Sequence, residues 1–293
     1  MKTLKTIALL FCLAVGASAC HDLEGDNSDF DLGFASGNGG SNPYVDGYDR
    51  LDNSLRLATY NTHRCEGPIT QNPAYDRAHY DMTAKVISLV APDAIALQEL
   101  DEKTSWHPVS QIRELANRTG MYATFGRAID QRGGQYGGIL SREEPLSTEI
   151  LSLPNPDRTE ARIALVAEFE RFVFIATHFC HKSEVNRTAA ATRLNEYAAE
   201  HFQTSDKPVY LAGDLNLNRT TSNAFIELLK SWKIITSNDY TMSTGNTRID
   251  YVLVYTGNQA SCEVLGAAVP TFSEIDVYTV SDHLPVFVDL KKE

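Results

Sequence analysis

Gly213-Asp214-Leu215-Asn216 sets a carboxylate and an amide two residues apart, directly after the apolar run 209–212. At the carboxyl end of a strand, side chains at i and i+2 project to the same side, the usual place for ligands in open α/β sheets. A carboxylate there can orient and deprotonate a water. An amide can donate to a phosphoryl oxygen without adding negative charge. Gly, Asp and Asn are also ordinary turn formers, so the tetrapeptide alone favours a turn and its partners elsewhere must decide.

Those partners recur at predicted strand ends. Glu99 interrupts the apolar run 94–100, and a carboxylate there is costly unless it is paired, exposed at the strand tip or bound to a cation. The hard oxygen chemistry of magnesium is one solution. Asn61 closes the alternating stretch 55–61, His178 closes a hairpin, Asp250 leads the run 248–254, and Ser281-Asp282-His283 precedes the last strand. Singly, Asn61 reads as a turn residue and His178 as a surface histidine. His283 has a stronger case. If Asp250 accepts from one ring nitrogen, the other can donate to a phosphoryl oxygen, and the carboxylate raises the fraction of imidazolium.

The elements that must position these groups follow from periodicity. Strands are predicted over 55–61, 94–100, 122–126, 137–142, 162–169, 171–177, 209–212, 248–254 and 286–290, and helices over 80–90, 108–120, 184–201 and 225–232. The glycine-rich stretch 131–136 matches neither a P-loop nor a dinucleotide fingerprint, so no nucleotide cofactor is implied. Strand and helix alternating twice, with hairpins between, predict an α/β sandwich of mixed sheets.

The 293 residues, 43% of them hydrophobic, can fill one large domain. Residues 1–19 carry Lys2, Lys5 and an apolar run over 7–17, a secretory signal too short for a mature transmembrane helix. Ala17-Ser18-Ala19-Cys20 resembles a bacterial lipobox, although alanine stands where leucine is commonest. It implies lipidation of Cys20 and an exported lipoprotein on the periplasmic or cell-surface side, or plain secretion if the box is unused. Loss of Lys2 and Lys5 leaves 24 basic against 38 acidic side chains, a mature net charge of −14. Such a surface repels polyphosphate chains unless basic groups cluster or cations intervene, so duplex DNA is a poor default ligand. Residues 20–52, rich in Gly, Asn, Ser and Asp, read as a flexible tether, leaving 53–293 as the domain.

Taken in order, Tyr60-Asn61, Leu97-Gln98-Glu99, the 136–142 stretch, Thr177-His178, Gly213-Asp214-Leu215-Asn216, Ile249-Asp250-Tyr251 and Ser281-Asp282-His283 resemble the motifs of the endonuclease/exonuclease/phosphatase (DNase I-like) superfamily. The resemblance runs from about Leu55 to Leu290. It implies a four-layer α/β sandwich, two packed mixed sheets flanked by helices, and Mg²⁺- or Mn²⁺-dependent cleavage of a phosphate ester by direct attack of water, with no covalent intermediate. It assigns Glu99 as principal metal ligand with Asn61 beside it and Asp282 as a further candidate. Asp214 would activate the water, Asn216 hold the phosphoryl group, and His283, buttressed by Asp250, stabilise its charge. His178 falls on the leaving-group side. Where many nucleases of the family carry an acid, this chain has His63, which puts a second metal in doubt. A membrane-inserting aromatic hairpin and a basic cluster for a duplex have no evident counterpart.

Three functions compete: a phosphodiesterase or phosphatase acting outside the cytoplasm on a small or lipid-linked ester, a secreted nuclease, and a binding lipoprotein without chemistry. The intact motif set argues against the third. A monomer is expected. Thr62-His63-Arg64-Cys65 and Thr177-His178-Phe179-Cys180 repeat one pattern. Both follow strands ending at the same mouth, so a Cys65–Cys180 disulfide ranks first, free thiols second and a zinc site with His63, His178 and His181 third, with Cys262 buried in a strand.

Overall fold

The computed structural model describes residues 43–44, 47–68, 77–104, 107–128 and 135–292. The expected signal segment, the expected anchor at Cys20, most of the expected tether and residues 131–134 of the glycine-rich stretch lie outside them. Twelve strands form two six-stranded mixed sheets. The first is ordered β11(Val264–Ala268), β12(Val286–Lys291), β1(Ser54–Asn61), β2(Ala94–Asp101), β4(Gln135–Ser141), β3(Tyr122–Arg127). The second is ordered β5(Ser147–Leu153), β6(Arg162–Glu168), β7(Val173–His178), β8(Val209–Asp214), β10(Asp250–Tyr255), β9(Trp232–Ile234). β1 pairs parallel with β2, and β7 parallel with β8; all other pairings are antiparallel.

Period 2 in the strands sorts the apolar side chains into three cores. Leu55, Leu57, Ala96 and Ile139 meet Leu165, Phe174, Tyr210 and Val252 between the sheets. Ala58, Tyr60 and Leu97 face α1(Arg77–Val90) and α2(Gln111–Thr119). Val173, Ile175 and Leu211 face α3(Glu184–Phe202) and α4(Asn223–Leu228). The result is the four-layer α/β sandwich. Because β1 has cover on both faces, all eight of its residues are buried, and its Ser54, Arg56, Thr59 and Asn61 side chains find hydrogen-bond partners. Arg56 grips Asp289 of β12 through Nε (2.8 Å) and Nη2 (2.6 Å), and Thr59 donates to Gln98 Oε1 (3.2 Å).

Several expectations need correction. The helix expected over 225–232 ends at Leu228. Trp232 instead opens β9 against Tyr255, because Lys230 and Ser231 turn the chain back on the end of α4. Strand β5 escaped the periodicity, and the strand expected to hold Cys262 begins only at Val264. β5 is an edge strand with five of seven side chains exposed, and β11 contains Gly266 at an irregular register. Cys262 precedes β11 and is half-buried. The packed domain begins before Asn53. Tyr44 is buried edge-on against Phe287 (5.2 Å between centroids) and donates to Asp289 Oδ2 (2.8 Å), so the end of the expected tether belongs to the first sheet's outer core.

The expected disulfide is also absent: Cys65 and Cys180 are free. After β1 the chain turns under the first sheet, where Cys65 joins the α1 side core beside Thr62 and Thr83. After β7 it turns toward α3, where Cys180 Sγ lies 3.2 Å from Thr159 Oγ1. The two thiols belong to different outer layers. Nor do His63, Cys65, His178, Cys180 and His181 converge as a metal site among the described residues.

Candidate active site

Seven predicted side chains converge where β1, β2, β7, β8 and β10 end together. Parallel pairing aligns the carboxyl ends of β7 and β8, setting His178 beside Asp214, and antiparallel pairing sets Asp250 opposite Asp214. Gly213 is required inside β8 rather than at a turn, since a Cβ there would overlap the Thr177 carbonyl oxygen. Two site residues hold left-handed backbone, Glu99 (φ 57°) and Asn216 (φ 50°). Such conformations cost side-chain-bearing residues roughly 1–3 kcal/mol and persist only where the surroundings impose them. At Glu99 the imposing feature is a break in β2–β4 register between Leu97 and Leu100, which swings the carboxylate out of the ladder.

Asp214 is the hub. Its Oδ2 accepts from Asn61 Nδ2 (3.1 Å) and lies 3.3 Å from His178 Nε2 and 3.8 Å from His283 Nε2; its Oδ1 accepts the Asn216 backbone N–H (2.9 Å). Burial pushes its pKa up, but His178, His283 and the Asn216 N–H outweigh that and hold the carboxyl well below the usual carboxylate range. Asn61 Nδ2 also donates to Glu99 Oε1 (3.2 Å), so one amide links the two carboxylates. Burial likewise pushes Glu99 up, and His178, His63, His283 and Arg64 bring it below its ordinary value.

His283 Nδ1 and Asp250 Oδ2 are 2.9 Å apart, the expected dyad. Burial lowers the imidazole, while Asp250, Asp214 and Asp282 raise it well above its ordinary value. Asn216 differs in detail from expectation, since one amide proton goes to the Phe179 carbonyl (3.1 Å). Asp282 is one-third exposed at the rim, with Oδ1 3.7 Å from His63 Nδ1.

Sequence reading missed the supports. Thr241 donates to Asp250 Oδ2 (2.6 Å), and Ser281 donates to the Asn61 carbonyl (2.8 Å). Arg162 lies 3.2 Å through Nη1 from His178 Nδ1, and its Nη2 donates to Glu160 (2.9 Å). Arg162 did stand at a strand's start in sequence. Nothing local distinguished it from any other strand-tip cation.

Glu99, a carboxylate held outward beside the oxygen-bearing Asn61, has the hard oxygen chemistry that suits a divalent ion, although Arg64 Nη1 already lies 3.7 Å from its Oε2; Asp282 offers a further carboxylate at the rim. Asp214, Asp250 and His283 also offer ligand atoms within 4.8 Å of one another. Asp250 and His283 are already bonded to each other, however, so a cation there would displace the dyad.

The family model described as Endonuclease/Exonuclease/phosphatase family matches residues 58–283. The chain belongs to this family. Its members include phosphoester hydrolases and nucleases. None of the curated protein sequences matches. Among solved structures, an endonuclease/exonuclease/phosphatase from Bacteroides vulgatus is 22% identical, with 82% of this chain and 99% of that chain covered at a TM-score of 0.64. A mannosyl-6-phosphatase from Bacteroides thetaiotaomicron is 19% identical (81% and 99% covered, TM-score 0.64). TDP2 of D. rerio, solved with a single-strand DNA product, is 17% identical (82% and 100% covered, TM-score 0.63). At these identities the likeness establishes the fold, a DNase I-like sandwich.

Proposed function

We propose that the protein hydrolyses a phosphate ester by direct attack of a water oriented on Asp214, with a divalent ion, Mg²⁺ or Mn²⁺, at Glu99. The observation that carries this reading is a buried carboxylate set between two histidine rings and joined through Asn61 to a second, outward-held carboxylate. Asp214, kept ionised, accepts hydrogen bonds and aligns the water. Its low proton affinity makes it an orienter first, and a base that takes the water's proton only late, once the O–P bond is forming and the attacking oxygen has become acidic. The His283 imidazolium, held by Asp250 and Thr241, aims Nε2 at the place where charge collects on the phosphoryl oxygens. A divalent ion held by Glu99, with Asn61 and Asp282 beside it, supplies further positive charge to the same oxygens.

A small polar ester suits the surroundings better than a lipid or a duplex. A cleft of about 360 Å³ opens beside Asn216, lined by Asn218, Arg219, Thr221 and Asn223 and by Arg187, whose charge is met by Glu184 (3.1 Å). Among the described residues its lining has no aromatic ring on which a base would stack, and Leu217 is its apolar side chain, against a majority of polar and charged groups. The leader-like residues 1–19 and the lipobox-like Cys20 support a site of action outside the cytoplasm, on an anchored or secreted chain expected to be a monomer.

The test is hydrolysis of p-nitrophenyl phosphate, its bis ester and plasmid DNA after EDTA treatment and after return of Mg²⁺ or Mn²⁺. Activity should vanish with EDTA and return with the metal, and Glu99→Gln should stay folded and inactive. Full EDTA-resistant hydrolysis would sink the proposal. Preference for plasmid over both small esters would transfer it to the nuclease reading.

A further inference from the structure

We propose that Arg162 is a positioning residue that fixes the tautomer of His178, so that the neutral ring carries its proton on Nε2 and serves as a hydrogen-bond donor to Asp214. The inference rests on the active-site reading above and adds a residue that no motif contains.

The chemistry of the contact is one-sided. A guanidinium has five N–H donors and no acceptor. At 3.2 Å from Arg162 Nη1, His178 Nδ1 must therefore present its lone pair. A proton on Nδ1 would set an N–H against an N–H. The neutral ring then has its hydrogen on Nε2, which lies 3.3 Å from Asp214 Oδ2. Arg162 is itself fixed. It opens β6, whose antiparallel pairing with β7 (Ala164 opposite Thr177) brings that end beside His178. Its side chain is 8% exposed, and Nη2 is held by Glu160 at 2.9 Å. Glu160 in turn gathers His181 (3.1 Å) and Lys182 (2.8 Å). These contacts, chiefly His181, hold its carboxyl far below the usual range against burial, so it stays an anion beside Arg162.

The consequence concerns the division of labour between the two histidines. His283 is buttressed by an acceptor, Asp250, so its Nδ1 carries a proton; His178 is buttressed by a donor, so its Nδ1 does not. Both rings turn Nε2 toward the same Asp214 oxygen. With the opposite buttresses they perform different tasks, His283 as the stabiliser of phosphoryl charge and His178 as an Nε2–H donor that keeps Asp214 in place.

The experiment is long-range ¹H–¹⁵N spectroscopy of the full chain labelled at histidine, with the His178 signals identified by their loss in His178→Gln. In the wild-type protein His178 should show the Nε2–H pattern. Arg162→Met should shift it to mixed or Nδ1–H tautomers, and Arg162→Lys, which restores a donor, should bring the Nε2–H pattern back. An Nδ1–H pattern in the wild-type protein, or an unchanged pattern in folded Arg162→Met, overturns the proposal. If Arg162→Met fails to fold, Glu160→Gln keeps the guanidinium but loosens its hold. A measurable Nδ1–H fraction then supports the proposal, and an unchanged spectrum overturns it. No substrate enters the measurement. A protein inactive on every ester but showing the shift defeats the hydrolase reading alone, and an active one without the shift defeats only this inference.

Discussion

In the proposed reaction Asp214 and His283 act on one transition state, and their loss should show it. Asp214→Asn and His283→Ala are each expected to lower kcat by at least about 10³-fold, and the double variant by far less than the product, because groups that work as a unit are not additive. Asp250→Asn should cost less than His283→Ala, since it removes the orienter and keeps the donor. Multiplicative losses in steady-state kinetics would separate the two roles. The thiols give a second residue-scale prediction. Burial pushes the Cys65 thiol up to about 12, so it should resist alkylation until the protein unfolds. Cys180 lies below its ordinary value through Thr159, the Lys182 and Ser183 amides and Asn186, which outweigh burial, but it is almost inaccessible. Half-buried Cys262 should therefore react first under native conditions, read by mass spectrometry. The catalytic set was legible because strand-end polar residues are conspicuous against apolar runs, as Glu99 is after Ala94 to Leu97. Their supports were not, because Arg162 reaches His178, and Thr241 reaches Asp250, only through sheet pairing and loop packing.

At the scale of elements, the turn after β1 and the segment after β2 are joined by a clamp. Buried His107 bonds Asp101 through Nδ1 and Glu66 through Nε2 (3.0 Å), and Glu66 holds Arg64 (3.1 Å), whose other nitrogen lies 3.7 Å from Glu99. Burial raises Glu66, but His107 and Arg64 prevail and bring it down to about 2; burial lowers His107, but Asp101 and Glu66 raise it above its ordinary value. The signs set a window. The depressed Glu66 contributes stability above its unfolded value near 4.5 and loses it as pH falls. The raised His107 contributes below its unfolded value near 6.5 and loses it as pH rises through its folded value. The clamp's contribution should therefore be largest between about pH 4.5 and 6.5. Denaturant midpoints across pH should flatten in His107→Gln. An identical pH profile in that variant would dismiss the clamp. The sequence showed these elements through their periodicity but not this link, since His63, Arg64 and Cys65 run through left-handed backbone (φ 45°, 55° and 58°) that no local pattern announces.

For the whole molecule, the two equal sheets were legible as a mixed α/β sandwich, whereas the edge strands β5 and β9 were not. An edge strand need not alternate, because one of its faces or sides meets water. What holds the first sheet to the entering chain is the buried Arg56–Asp289 pair, with neither side chain exposed, which also takes the carbonyls of Tyr48, Asp49 and Val90. Removing one partner of a buried pair costs about 3–5 kcal/mol, so Arg56→Ala should lower the denaturant-extrapolated stability by about that much. A loss below about 1 kcal/mol would show that water reaches the abandoned carboxylate.

The docking of Tyr44 also sets the entering chain at the opposite end of β1 from the catalytic mouth. The entering segment reaches the sandwich level with Arg56 and Asp289, five residues before Asn61 along β1, or about 17 Å at roughly 3.3 Å per residue. The strand thus works as a spacer, with the incoming leash at its rear and the catalytic groups at its front. Whatever precedes Tyr44 therefore joins the sandwich at the end away from the catalytic groups, and a tag or label fused ahead of it would leave the mouth open to an ester from solution.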